Sequence, residues 1–349
     1  MLKLGALALL LIGSNAFAQS APYQYVVRPG DTLLSLARLY MTRQNDYLTV
    51  QKLNRVADPR KLPIGDTLLI PYPLLRSEPV IAEVSSFRGT VTVDGQPAAI
   101  GTKVRQGMRV ETSASAFVTV RMPDGSAISL PSQSRIYVAK LRHILVGGIE
   151  RTFVLEAGRS RSTVTPMKDP ASNFLVTTPL SVSAVRGTDF RVGLEPDGQR
   201  VMTEVVGGTV AVATAQDMPS IKVAKNFGII ATTAGLDAVM PLLPPPLLVR
   251  IERTATGANV VAKPVDGAAR YRTQLATDIN FHDIFDEAVT DTPGASFTLD
   301  DGATFFVRLT AIAASGLEGL PGTYALGRSG ALERSAEANR SATSIAHAD

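Results

Sequence analysis

The side chains that most often carry chemistry are sparse in this chain of 349 residues. Cysteine is absent, which removes thiolate nucleophiles, thiolate metal sites, disulfides and a lipidated cysteine anchor in one step. The three histidines, His143, His282 and His347, fall in different segments with no His-x-x-x-His spacing and no carboxylate cluster beside them. Their pattern argues against zinc and for solvated or capping roles. Paired carboxylates can cleave a glycosidic bond, and Glu150, Glu156 and Asp189 each have the chemistry for it, but no hydrolase pattern surrounds them. Arg186 and Asp189 bracket Gly187-Thr188 without a histidine, a serine partner or a metal cluster, so they lack the parts that catalysis needs. They are expected to pair with each other or with backbone in a turn, where Gly187 permits a bulge. The chain is therefore expected to be no enzyme, with no catalytic residue, no metal site and no cofactor.

What remains is backbone exposed by glycine-bearing loops. The stretch Tyr25-Val26-Val27-Arg28-Pro29-Gly30-Asp31-Thr32-Leu33 is answered by Leu62-Pro63-Ile64-Gly65-Asp66-Thr67-Leu68-Leu69-Ile70-Pro71 about forty residues later. Between them, Leu33, Leu36, Ala37 and Tyr40 recur at the i, i+3, i+4, i+7 spacing of an amphipathic helix, and Val50 and Asn54 stand one turn apart on a second helical stretch. Thr32 is placed to cap the first helix, and Gly30 permits the tight bend before it. The order is strand, helix, helix, strand.

Residues 25 to 71 resemble a LysM module, a family that binds N-acetylglucosamine-containing glycans such as peptidoglycan. The resemblance implies a shallow groove between the loop after the first strand and the loop after the second helix. Carried over by position, it places Gly30, Asp31, Thr32 and Leu33 on one side and Asn54, Leu62, Pro63, Ile64 and Gly65 on the other. Glycine-bearing loops suit this role because an N-acetyl group needs backbone donors and acceptors beside a small apolar pocket. The bland alternative makes Leu33 and Ile64 core and Asp31 a capping residue.

Lys3, the apolar run Leu4 to Ile12 and Ala16-Phe17-Ala18 match a secretory signal cleaved after Ala18, which points to a bacterial periplasm. The apolar run is short for a membrane span, which takes about 20 residues. A net charge of +4 and a pI near 9.3 are compatible with anionic cell-wall polymers, but the basic residues are scattered. No basic, aromatic-interleaved stripe suggests nucleic acid. Tryptophan is absent while valine, threonine, glycine and proline are plentiful, which favours β structure.

From Ile81 to about Gly235 the pattern is short alternating strands, among them Gly89 to Val93, Phe117 to Met122 and Ser126 to Leu130. Asp94-Gly95, Asp124-Gly125 and Asp197-Gly198 have the chemistry of tight hairpin turns. Val176-Thr177-Thr178-Pro179, Val185-Arg186-Gly187-Thr188-Asp189-Phe190-Arg191-Val192 and Val205 to Val210 resemble the FecR domain, with Gly101-Thr102 through Gly107 and Met122 to Ser126 fitting its first half. Members of that family typically carry a cytoplasmic anti-sigma segment and a membrane span and transmit a signal from an outer-membrane receptor. With no sigma-binding segment expected before the secretion signal, direct transcriptional control by this polypeptide is not expected. The run from Val239 to Leu248, with Pro244-Pro245-Pro246, is too short and too proline-rich for a membrane helix and is expected to act as a semi-rigid spacer.

Beyond it, Val249 to Thr254, Val260 to Lys263, Tyr271 to Ala276, Ser296 to Leu299 and Thr304 to Ile312 are strand-like at the spacing of a β-sandwich. This segment resembles fibronectin type III modules. The tail from Gly327, rich in alanine, serine and charge, is expected to be disordered. The whole is expected to be mainly β and multidomain: signal peptide 1–18; a βααβ LysM module at 22–73; an all-β FecR-like domain, sandwich or solenoid-like, at 80–238; a Pro-rich linker at 239–247; a fibronectin-like β-sandwich at 248–326; and a tail at 327–349. The function implied is non-catalytic attachment to peptidoglycan, with β-rich domains that scaffold or sense. The alternative is an envelope signalling component whose FecR-like domain contacts a separate membrane protein.

Overall fold

A computed structural model describes residues 22–215, 219–254, 256–299, 305–326 and 332–334. The proposed signal segment, His347 and most of the proposed tail lie outside the described residues. Within them the chain is mainly β and divides into two compact units, residues up to Leu75 and residues from Arg76 on.

In the first unit, β1 (Tyr23–Val26) pairs antiparallel with β2 (Thr67–Ile70), and α1 (Leu33–Tyr40) and α2 (Tyr47–Asn54) connect them. Helix α1 starts at Thr32 because a reciprocal cap forms there. The Ser35 amide donates to Thr32 Oγ1 at 3.0 Å, and the Thr32 amide donates to Ser35 Oγ at 2.9 Å. A cap of this kind contributes about 0.5–2 kcal/mol. Leu33, Leu36 and Ala37, the apolar stripe of α1, are buried, as are Val50, Leu68 and Ile70, while Tyr40 is half-buried. Helix α2 ends where Arg55 takes a left-handed conformation, φ 52°.

The second unit begins with two curved sheets that share one long strand, Ile149–Thr163. Its first half pairs with Arg135–Ile144 on one side and runs parallel to Asn173–Thr177 on the other. Its second half pairs instead with Ala127–Leu130 and Asp189–Leu194 in the other sheet. The change of partner falls at Ala157/Gly158, where Gly158 has φ +71°. Through this shared strand the sheets close around a single core, a barrel-like version of the expected sandwich. Phe153, Phe174 and Phe190 pack within it, the first pair tilted and the second edge to face, with ring centroids 5.2 and 6.3 Å apart in succession. At Asp94-Gly95 both residues have positive φ, 52° and 77°, and Val91–Val93 turns back onto Gln96–Pro97 in a two-residue hairpin.

The C-terminal strands form a three-stranded sheet (Leu248–Thr254, Gly257–Ala262, Gly294–Thr298) and a five-stranded sheet led by Ile284–Thr290, Ala268–Ala276 and Phe305–Ala313. Their core contains Val260, Leu275, Phe297, Phe305, Val307 and Leu309. Gly322–Leu326 is extended by Leu332–Arg334 inside the segment expected to be disordered, because pairing along a strand edge uses backbone groups and needs no large apolar side chain.

The proline-rich run does not behave as a free spacer. Met240–Pro241 pairs with Phe227–Gly228, Leu242 is buried, Leu320 donates its amide to Leu243 O at 2.8 Å, and Tyr324 Oη donates to Pro246 O at 3.0 Å. It is sewn to the strands on both sides, since prolines that cannot donate still accept through their carbonyls. Two apolar clusters join the barrel to the sandwich: Phe117 with Ala276, Phe281 and Ile284, and Met202 and Ile230 with Leu242 and Leu317.

Between the clusters lies a buried ionic network. Glu318 Oε1 accepts from Arg191 Nη1 and from Thr310 Oγ1, both at 2.9 Å, and Oε2 accepts from Arg272 Nε at 3.1 Å. Arg159 Nη2 reaches Glu204 Oε1 at 2.9 Å and Glu318 Oε2 at 3.3 Å, and the Glu318 amide donates to Glu204 Oε1 at 3.1 Å.

Candidate functional site

In the first unit, the loop after β1 and the loop before β2 are held side by side by backbone alone. Leu33 N donates to Pro59 O at 2.9 Å; Val27 N donates to Asp66 O and Gly65 N donates to Val27 O, also at 2.9 Å. Gly30 and Gly65 stand on opposite loops with φ +86° and +89°, and a Cβ at either would meet nothing within 4 Å. Both loops thus present open backbone to solvent. A substitution there is opposed by conformation rather than by a clash.

Asp31 is spent on the loop itself. Its Oδ2 accepts from the Arg28 amide at 2.7 Å and from Tyr25 Oη at 2.8 Å, which fixes the turn around Gly30. Burial, and then the Asp31 carboxylate beside it, push the Tyr25 phenol up from its ordinary value, so it stays a donor. Thr32 is committed to the helix cap. Leu33 is fully buried, so its side chain lies under the loop and only its backbone can belong to a groove.

On the opposite side, Asn54 donates from Nδ2 to Val50 O and Leu69 O at 2.8 and 2.9 Å, and accepts from Leu69 N at 2.7 Å. It clamps α2 to β2. Leu62 is half-buried, Pro63 and Gly65 are exposed, and Ile64 is 68% exposed with its apolar side chain in solvent. The structure thus brings together Gly30, Asp31, Thr32, Pro63, Ile64 and Gly65 at the loop pair, and sets the Leu33 and Asn54 side chains beneath it. Tyr25 and Pro59 were not legible as partners, because six and twenty-six residues of separation carry no helical or strand period. We expect Gly30→Val to destabilise this unit by about 1–3 kcal/mol through its positive φ. Gly30→Asn should cost much less, since asparagine tolerates that region. Thermal unfolding of the two variants checks this, and equal melting of Gly30→Val and wild type would refute it.

The carboxylates weighed for catalysis are engaged in separate ion pairs. Glu150 is buried between Lys140 and Arg142; Glu156 takes Arg109 and Arg135; Asp189 accepts two hydrogen bonds from Arg161, at 3.0 and 2.7 Å. Arg186 reaches Asp169 O and Pro170 O, both at 2.7 Å, and the Cβ of any residue at Gly187 would lie 2.7 Å from Pro166 Cα. That turn is a structural brace. His143 is exposed, and His282 sits beside Arg121, with its pKa lowered by burial and by that arginine.

Residues 25–71 match the family model of the LysM domain, and residues 108–211 match the model described as FecR protein. The chain carries a LysM domain followed by a FecR domain, and neither family is catalytic. No curated protein matches the chain at a significant level. Among solved structures, a candidate anti-sigma factor from Parabacteroides distasonis ATCC 8503 aligns at 22% identity and TM-score 0.30 over 38% of this chain and 57% of that one. The chicken CNTN1 FN1–FN3 domains align at 9% identity and TM-score 0.22 over 74% of this chain and all of that one. This chain thus spans little more than half the length of the first of these, and overlays at such scores carry no functional argument.

Proposed function

We propose that this is a non-catalytic protein of the bacterial periplasm, held on peptidoglycan by its LysM domain, with the β-rich second unit as an interaction or sensing platform. The observation that carries the reading is the loop pair at Gly30 and Gly65, two open backbone edges pinned together beside the exposed apolar side chain of Ile64, within residues that match a glycan-binding family. N-acetylglucosamine offers what such a groove takes: an amide that needs a backbone donor and acceptor, and a methyl group that needs apolar surface. One shallow groove contacts few sugar atoms, so the dissociation constant is expected on the order of 10 μM to 1 mM.

Sedimentation with purified sacculi tests the reading. The full chain is expected in the pellet and a form lacking residues 22–73 in the supernatant. Ile64→Asp should leave the unfolding free energy within about 0.5 kcal/mol of wild type, as an exposed substitution does, while releasing most of the protein from the pellet. Equal pelleting of all three would overturn it.

The FecR domain favours a second reading, in which this region relays an envelope signal to a separate membrane protein. Among the described residues no helix is long and apolar enough to cross a membrane. A scaffold needs only glycan, whereas a sensor captures one membrane protein in a ligand-dependent way. Crosslinking in intact cells separates the two.

A further inference from the structure

A cavity of about 50 Å³ opens where the barrel meets the C-terminal sandwich, with Phe117, Leu130 and Ser160 on the barrel side and Phe281, Ile284 and Arg308 on the other. A single water needs roughly 10–15 Å³, so there is room for several heavy atoms. Three polar groups on this wall lack what burial requires of them, one being Arg191 Nε, which has no hydrogen-bond partner among the described residues and only the Glu204 carboxylate at 3.6 Å. The Ser160 hydroxyl, on a residue 2% exposed, has no hydrogen-bond partner among the described residues. Arg308, 6% exposed, donates from Nε and Nη2 to one neutral oxygen, Gln274 Oε1, at 2.9 and 2.7 Å, and its guanidinium lies 4.2 Å over the Phe281 ring.

The other guanidiniums around the cavity are matched in charge by carboxylates. Arg159 and Arg191 face Glu204 and Glu318, Arg161 faces Asp189, and Arg272 faces Glu287 and Glu318. Among the described residues these five cations stand against four carboxylates, and the surplus charge is on Arg308. A buried cation opposed only by an amide oxygen and a ring is costly unless an anion joins it.

We propose that this cavity binds a small monocarboxylate, recognised through its carboxylate by Arg308 and Ser160 and through a short apolar tail by Phe117, Leu130 and Ile284. One surplus positive charge matches a monoanion, whereas a dianion would reverse the imbalance. A carboxylate also fits the planar donor fork of a guanidinium, and the apolar walls suit an alkyl group. The site is independent of the glycan-binding reading, because none of its residues lies in the LysM domain.

Calorimetric titration of the full chain with sodium propionate, against sodium chloride at equal ionic strength, is the test, with inorganic phosphate as a second arm. Propionate is expected to bind saturably at one site and to raise the melting temperature above that in chloride. Arg308→Gln and Ser160→Ala should each weaken binding by about 10-fold or more, since each removes a hydrogen bond to the ionised carboxylate. Should Arg308→Gln fail to fold, Ser160→Ala decides alone. Absence of saturable propionate binding, tighter binding of phosphate, or unchanged affinity in Ser160→Ala overturns the proposal.

Discussion

Glu318→Ala is expected to destabilise the second unit by about 3–5 kcal/mol, the cost of breaking a buried ion pair by removing one partner. Glu318 is 4% exposed and is shared by Arg191, Arg272 and Arg159, so its loss takes one of the two carboxylates that each of these guanidiniums faces and leaves Arg159 and Arg191 to share Glu204. Urea unfolding of the full chain measures it. A loss below about 1 kcal/mol would place the network outside the folding energetics, as exposed pairs usually are.

The same residue has a pH signature. Burial by itself would raise the Glu318 pKa, but Arg191, Arg272, Arg159 and the Thr310 hydroxyl outweigh burial and hold it well below the ordinary glutamate value of 4.5. A folded pKa below the unfolded one stabilises above the unfolded value and loses that contribution as pH falls toward the folded value. Wild type should therefore lose stability below pH 4.5 more steeply than Glu318→Gln, which has no proton to take up there. Parallel acid profiles for the two would refute the assignment.

Gly158→Val is the second large effect, expected at about 2–6 kcal/mol from a strained backbone together with overpacking. Gly158 stands where the strand Ile149–Thr163 leaves one sheet for the other, with φ +71°, and a Cβ there would clash with Gln133 O and Ser134 Oγ and lie 2.8 Å from Ser134 Cα. Ser134 cannot retreat, because its hydroxyl also accepts the Arg159 amide at 3.0 Å. The prediction is a second unit that unfolds well below the wild-type temperature while the LysM domain still pellets with sacculi. Wild-type melting of the second unit would show that the strand can cross without a glycine.

The LysM domain was readable in the sequence because its determinants are local. The helical stripe of Leu33, Leu36 and Ala37, the cap at Thr32 and the turn glycines Gly30 and Gly65 each act within a few residues. Their spacing is therefore a direct image of the structure. Hairpins such as Asp94-Gly95 were legible for the same reason. The strand Ile284–Thr290 was not, since Asp286 and Glu287 interrupt its apolar alternation and Glu287 is held by Arg272, a residue on the neighbouring strand. Ile149–Thr163 was missed likewise, its arginines, glutamates and serines reading as surface until two sheets close around them.

The sequence by itself determined the class of chain: mainly β, without cysteine chemistry, with a LysM domain ahead of a FecR domain. Only the tertiary structure decided that the proline-rich run is a seam rather than a spacer, and that Arg191 meets Glu318 across 127 residues of chain. The physical reason is separation. A backbone turn or a helix face is specified by residues that are neighbours in sequence, whereas a buried charge is tolerated only where distant strands deliver its partner, and no local period records which strands those will be.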